Sequence, residues 1–582
     1  MGGMGGICRS NTYLFFLVAI LPLLTHFRAQ YSGDWGDYIS FATRMREQAD
    51  ERGVDLLLVD TGDKVDGNGL YDGSNPKGKY TYDIFKEQHI DMLCTGNHEL
   101  YVAEVAEQEY TKTVPNSKGK YLASNLDIID PKSGERVPLA QRYRKFTTKY
   151  QGIRVLAFGF LFDFTGNANN TFVQPVEETI KENWFQEAIR EDVDLFVVIG
   201  HVDLRSPEYK AIYTAIRTQR WNTPIQFFGG HSHIRNFMSY DSNAYALESG
   251  RYMETIGWLS IDGISIGGKE DPKHTHAKGS STFKRRYIDN NLFGYHYHTG
   301  LNHSTFPTKP GKDVSETIRK AREHMDLDQR IGCAPQDYFL NRAEYPSNSS
   351  ILSLIDQQIL PDILVGENRS EIPRIAIVNS GCMRFDIFQG PFTRDTVLII
   401  SPFTNRFQFI KDVPYSAAKG LLALLNSGGP IFESARLESW LLAPPEQISI
   451  KENIPSNGFD EYRQRFAVDQ SPLGPQDGVE PSLMPGYTTK DNAGDDGDDT
   501  LHSPISFYRV PNCVQSKIAF PANSDPETVD LVFLDFVQPW ILLGLRFLGQ
   551  KYNSSDVLPY IGDKTFTSLL DGWVKEHWSS DC

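Results

Sequence analysis

Short apolar runs alternate with helix-period stretches through the first 230 positions of the chain. From Tyr38, the residues Phe41, Ala42, Met45 and Ala49 keep helical spacing, Gly53 closes the helix, and Val54 to Val59 follows as a strand. Ile90 to Cys94 reads as a second buried strand, with helix-like stretches at Tyr82 to Glu87 before it and Tyr101 to Thr113 after it. Val155 to Phe162 is a strand, Val176 to Arg190 a helix, and Leu195 to Ile199 a strand. Glu208 to Arg217 is a helix that leads into the strand Ile225 to Phe228. Strand and helix in turn predict a layered α/β domain whose strands are largely buried.

After His231 the pattern changes to strands without long helices: Ala244 to Glu248, Tyr252 to Ile261 and Phe283 to Ile288. Gly267 to Ser281 reads as a polar insertion, in which His274 and His276 have no apolar framework to hold an ion. A charged helix, Asp313 to Met325, precedes a second unit that starts near Ile331. There Arg374 to Val378 and Val397 to Ile400 read as strands, with helices at Ala417 to Asn426, Trp540 to Leu548 and Phe566 to His577. Ser471 to Asp499 reads as a loop rich in Pro, Gly and Asp. The predicted organisation is a signal peptide or signal anchor over 1–30, a first domain over 31–310, a linker helix over 311–330 and a second domain over 331–582.

Composition narrows the function. A chain of 582 residues exceeds one core, which fits two domains. Its net charge of -16 argues against a partner that is a nucleic-acid polymer or an anionic membrane. Six scattered cysteines without a C-x-x-C are too few for a disulfide scaffold and leave room for one or two bridges. Tyr13 to Leu24 is apolar but shorter than the roughly 20 residues a membrane span needs, so a signal peptide is expected and a membrane tether is the competing reading. Either places the chain in the secretory pathway, extracellular or membrane-anchored; sequons such as Asn169 and Asn553 permit this without arguing for it.

Four predicted strand ends carry metal-type ligands: Asp63 after Gly62, Asn97 and His98 after Gly96, His201 after Gly200, and His231 with His233 after Gly230. Carboxylate, amide and imidazole donors suit Zn, Mn or Fe, and a carboxylate is able to bridge two ions. A pair of ions about 4 Å apart clamps a phosphoryl group and activates water.

Gly62-Asp63-Lys64-Val65-Asp66, Gly96-Asn97-His98-Glu99, Gly200-His201 and Gly230-His231-Ser232-His233 resemble, in order, blocks of the calcineurin-like metallophosphoesterases. In the second half, Asn379-Ser380-Gly381-Cys382-Met383-Arg384, Gly390-Pro391-Phe392-Thr393 and Ser401-Pro402-Phe403 resemble the substrate domain of the 5'-nucleotidase superfamily, most closely its fungal-type members. The resemblance implies an N-terminal β-sandwich flanked by helices, a C-terminal α+β substrate domain, and two divalent metal ions. It implies that Asp63 bridges the ions, that Asn97, His201 and His231 complete one site, and that His233 belongs to the other. His98 is then the catalytic residue at the leaving oxygen, supported by Glu99. Asn379 and Arg384 hold sugar hydroxyls, and Phe403 stacks on the base of a small phosphorylated substrate, a nucleotide.

Two departures qualify the resemblance. The family's D-x-H block is absent, which implies a gap in the sheet and leaves the second ion only Asp63 and His233. Either the protein is a catalytically impaired relative that retains the fold, or its first strand was lost with a missed exon. In addition, Asp498 stands where the family has a second stacking aromatic, and Tyr487 is a weak substitute. Phosphoesters of cyclic or sugar nucleotides, or of non-nucleotides, therefore stay open as substrates.

Overall fold

The computed structural model describes residues 13–19, 33–266, 281–365, 369–427, 432, 439–447 and 508–582. The chain divides into two compact units. The first contains residues up to Val65 and Gly78–Ala321; the second contains Asp66–Lys77, Arg322–Lys451 and Ser506–Cys582. A twelve-residue segment that begins three positions after Asp63 thus belongs to the second unit.

The first unit is a sandwich of two sheets. One has the strands β1 (Tyr13–Ala19), β2 (Asp55–Asp60) and β3 (Met92–Leu93), flanked beyond β1 by Thr255–Asp262 and Thr282–Asp289. The other runs Arg235–Asp241, Ala244–Ser249, Ile225–Phe228, Leu195–His201, Arg154–Leu161, Tyr143–Thr147. Between the sheets, Val59, Met92 and Leu259 of the first pack with Val155, Val197 and Phe228 of the second, all buried. Helix α1 (Trp35–Arg52) begins with a capping box between Asp34 and Asp37 and ends at Gly53 in the left-handed conformation.

The N-terminal stretch corrects an expectation. Tyr13–Ala19, assigned above to a signal peptide or membrane tether, is a strand in the middle of the first sheet. It pairs parallel with β2 and antiparallel with Thr255–Asp262, so the gap expected there is filled. The physical reason is that Tyr-Leu-Phe-Phe-Leu-Val is rich in residues that favour strands, and the slot offers hydrogen-bond partners on both edges. No helix among the described residues is long and apolar enough to cross a membrane.

Other differences are local. Tyr101 to Thr113 forms an α-helix over Ala103–Gln108 followed by a π-turn over Glu109–Thr113. Val176 to Arg190 breaks into Val176–Thr179 and Asn183–Ala188. Val397 to Ile400 belongs to a helix, Arg394–Ile400, whose start is fixed by a capping box between Thr393 and Thr396. A four-residue apolar run does not distinguish strand from buried helix, and here the cap decides.

The second unit is α+β. Its sheet runs Cys513–Ile518, Arg374–Asn379, Thr528–Leu534, Phe407–Pro414, Leu558–Pro559. Helices Tyr415–Ser427 and Gln538–Phe547 cover it, with Leu421, Leu425, Ile541 and Leu545 buried against Ile377 and Leu531. A disulfide joins Cys333 to Cys582, whereas Cys94, Cys382 and Cys513 are free and buried. His274, His276, the loop Ser471 to Asp499, Tyr487 and Asp498 lie outside the described residues.

Candidate metal centre and substrate site

The four ligand-bearing corners meet in the first unit. Asp63 follows β2, and Asn97 and His98 follow β3, which runs parallel to it. His201 ends the strand Leu195–His201, and His231 and His233 follow its parallel neighbour Ile225–Phe228. Parallel strands present their carboxyl ends on one edge, where such folds place ligands. Asp63, His231 and His233 are non-glycine residues at positive φ (59°, 78° and 58°). Such backbone persists where surrounding structure over-determines it, and it clusters at functional sites.

Two glycines let the first two loops touch backbone to backbone. A Cβ on Gly62 would sit 2.3 Å from the nitrogen of Gly96, and one on Gly96 would sit 2.0 Å from Asp63 Oδ1. Any larger residue would force the loops apart. Glu99 joins them: its carboxylate accepts hydrogen bonds from the backbone N–H groups of Asp63, Lys64, Val65 and Gly96. The support expected of Glu99 therefore goes to the two loops that carry Asp63, Asn97 and His98.

Behind Glu99 lies a buried polar network that the sequence pattern does not announce. The Lys64 ammonium is 2.9 Å from Glu109 and 3.9 Å from Glu99. Tyr121 and Thr113 donate to Glu109, and Tyr121 also pairs with Thr95. Burial would strip the proton from Lys64, but the two carboxylates outweigh it and hold its pKa well above the usual value. The π-turn is what brings Glu109 and Thr113 into this network.

The donor atoms of Asp63, His201 and His231 all lie within 4.8 Å of one another. His201 Nδ1 is 2.9 Å from the carbonyl oxygen of Thr61, to which it donates in the tautomer that frees Nε2, and Nε2 is 2.9 Å from Asp63 Oδ2. The backbone N–H of His98 donates to Asp63 Oδ1, and the His98 ring nitrogen is 4.0 Å from Oδ2. Burial alone would raise the Asp63 carboxyl; the charges of His201 and His98 overcome it and hold it well below the usual range. Phe162 stacks on His231 with ring centroids 4.2 Å apart, and Ser232 donates twice to buried Glu248, which fixes the loop between His231 and His233. His233 is buried two residues further on, edge-on to Tyr252.

These residues fit a divalent ion. Asn97 Oδ1 is buried without a hydrogen-bond partner, a costly state for an amide oxygen that a cation relieves. The carboxylate and two imidazoles of the cluster are donors that Zn, Mn or Fe accepts, and the Asn97 amide oxygen would add a hard fourth donor.

Asp60, at the end of β2, offers a test by pH. One oxygen accepts from Gly62 N–H, whereas the other is buried without a partner. Burial, with Glu99 and Glu109 nearby, pushes its carboxyl up to about 7 against the pull of Lys64. A folded-state value above the unfolded value near 4 means that the folded protein binds this proton more tightly. The stabilisation is complete below about pH 4 and is lost as pH rises through about 7. For metal-free protein, Asp60→Asn is expected to remove this dependence and to add on the order of 3 kcal/mol at pH 8, with little change at pH 4. Thermal unfolding across that range checks it; parallel curves for the two proteins would refute it.

The second unit holds the other predicted residues. Asn379 ends its strand, buried, with Oδ1 lacking a hydrogen-bond partner. The Arg384 guanidinium carbon lies 5.3 Å from the centroid of the Phe403 ring, so those two are brought together. Thr567 donates to the carbonyls of Ser401 and Phe403 and holds that turn.

Comparison with known proteins agrees with both halves. Residues 25–235 match the calcineurin-like phosphoesterase family, and residues 337–542 match the C-terminal domain of NAD nucleotidase. An uncharacterized protein of Schizosaccharomyces pombe is 39% identical over 95% of this chain and 89% of its own length. A protein of Arthroderma benhamiae described as a secreted protein is 37% identical over 95% of this chain and 88% of its own. The crystal structure of 5'-nucleotidase from Candida albicans superposes with a TM-score of 0.80 at 36% identity, covering 97% of this chain and 99% of that one. The chain therefore belongs to the 5'-nucleotidase family, as a calcineurin-like phosphoesterase domain followed by an NAD nucleotidase-type C-terminal domain.

Proposed function

We propose that this protein hydrolyses phosphate monoesters of nucleotides in a metal-dependent reaction. The observation that carries the reading is the convergence of the donor atoms of Asp63, His201 and His231 in one buried cluster. These three residues and Asn97 would hold one divalent ion, and Asp63 with His233 would contribute to a second. A bound ion supplies Lewis acidity toward a phosphoryl oxygen and lowers the pKa of water. His98, anchored through its backbone to Asp63, holds a proton for the leaving ester oxygen. Asn379 and Arg384 recognise sugar hydroxyls, and the half-buried Phe403 ring offers a face to the base.

The test is release of inorganic phosphate from a panel of nucleoside monophosphates, cyclic nucleotides, sugar nucleotides and simple phosphomonoesters, with Mn²⁺ or Zn²⁺ added. Nucleoside monophosphates are expected to be the best substrates; metal-supplied protein no faster than metal-free protein would refute the reading.

A second reading, a binding protein with impaired catalysis, is favoured by one feature. The sequence lacks the D-x-H block, which leaves the second ion Asp63 and His233 among the residues matched to the family's blocks. Metal content separates the two: two ions per chain with turnover supports the enzyme, and one ion without turnover supports the binding protein.

An extracellular location is supported by the Cys333–Cys582 disulfide, which persists in oxidising compartments, and by the relative described as secreted.

A further inference from the structure

An amide side chain serves as a metal ligand only through its oxygen, yet its NH2 group is nearly the same size and repels a cation. Something must therefore turn Asn97 the right way. Tyr101, four residues later, is within reach: Asn97 Nδ2 donates to the Tyr101 hydroxyl at 3.1 Å. With its NH2 group held there, Asn97 directs Oδ1 elsewhere, and Oδ1 is buried without a hydrogen-bond partner.

The ring of Tyr101 is fixed as firmly as its hydroxyl. It meets His98 edge-on, with centroids 5.3 Å apart, and meets Phe164 edge-on at 5.2 Å. Phe164 packs on Phe162 at 5.4 Å, and Phe162 stacks on His231. One continuous row of rings therefore runs from the catalytic candidate His98 to the metal-ligand candidate His231, with Tyr101 as the member that also touches Asn97. Gly166 closes against this row: a Cβ there would come within 3.0 Å of Phe164.

We propose that Tyr101 is a positioning residue for the phosphoesterase centre, whose hydroxyl fixes the amide of Asn97 so that its oxygen faces the ion. This rests on the metal-dependent reading above. It assigns the hydroxyl and the ring different work: the hydroxyl sets metal affinity, and the ring holds the plane of His98.

Full-length protein freed of metal and titrated with Mn²⁺ by calorimetry tests this without measuring turnover. Tyr101→Phe keeps the ring and is expected to bind Mn²⁺ about tenfold more weakly, the size of effect seen when partners of metal ligands are removed, with an unchanged unfolding temperature. In an Asn97→Asp background either oxygen can face the ion, so adding Tyr101→Phe is expected to change the affinity by less than about twofold. A merely structural role would cost the same in both backgrounds. Tyr101→Phe with wild-type Mn²⁺ affinity, or equal losses in the two backgrounds, would overturn the proposal while leaving the metal-dependent reading intact. Wild-type protein that binds no Mn²⁺ would overturn both.

Discussion

Asp63→Asn is expected to lower phosphate release by more than about a thousandfold, equivalent to about 4 kcal/mol of transition-state stabilisation, while the protein stays folded. The argument rests on charge. Among the described residues, Asp63 is the one carboxylate in the cluster with His201 and His231, and an imidazole that binds an ion through its free nitrogen brings no negative charge. Asn has the shape of Asp and keeps an oxygen for the backbone N–H of His98. It lacks the charge that offsets a divalent cation in a site where His201 is fully buried and Asp63 nearly so. It also places an NH2 group or a weaker acceptor opposite His201 Nε2, which stands 2.9 Å from Asp63 Oδ2. Metal affinity should fall with the rate, whereas the unfolding temperature should move by only a few degrees. Wild-type turnover in the Asp63→Asn variant would remove Asp63 from the centre and with it the proposed chemistry.

What could be read in advance follows from how each signal is encoded. Asp63, Asn97, His201 and His231 each follow a glycine just past an apolar run, with His233 two positions beyond His231, so a one-dimensional pattern already marks the corners of a sheet edge. The fold class was legible for the same reason, because alternating buried strands and helices leave a period in the sequence. Tyr101, Lys64 and Glu109 carry no such mark. Lys64 and Glu109 are 45 positions apart, and their burial as a pair depends on a π-turn that no local propensity predicts. The N-terminal stretch misled for a different reason: an apolar run of that length suits a signal segment and a central strand equally well. Only its partners, Asp55 to Asp60 on one side and Gly257 to Asp262 on the other, decide between them.

The same distinction between local pattern and long-range partner makes Glu99 the most consequential residue that binds no substrate or metal. Glu99→Ala is expected to destabilise the first unit by about 5 kcal/mol. Four backbone N–H groups, from Asp63, Lys64, Val65 and Gly96, would lose their acceptor in a fully buried position. Each such donor costs about 1 to 3 kcal/mol, less than additively because the loops can move together. Lys64 would keep Glu109 but lose its second carboxylate, in a place where its charge has no water to fall back on. The loss should exceed about 10 °C in unfolding temperature at about 2 to 4 °C per kcal/mol. Glu99→Gln retains one acceptor oxygen and should lose about half as much. The functional consequence is separate from the thermal one: with the loops no longer clamped, Asp63 and Asn97 lose their fixed spacing, and Mn²⁺ affinity should fall even at temperatures where the variant is fully folded. A Glu99→Ala variant that unfolds within about 2 °C of wild type would show that the close packing of Gly62 on Gly96 holds the loops without Glu99.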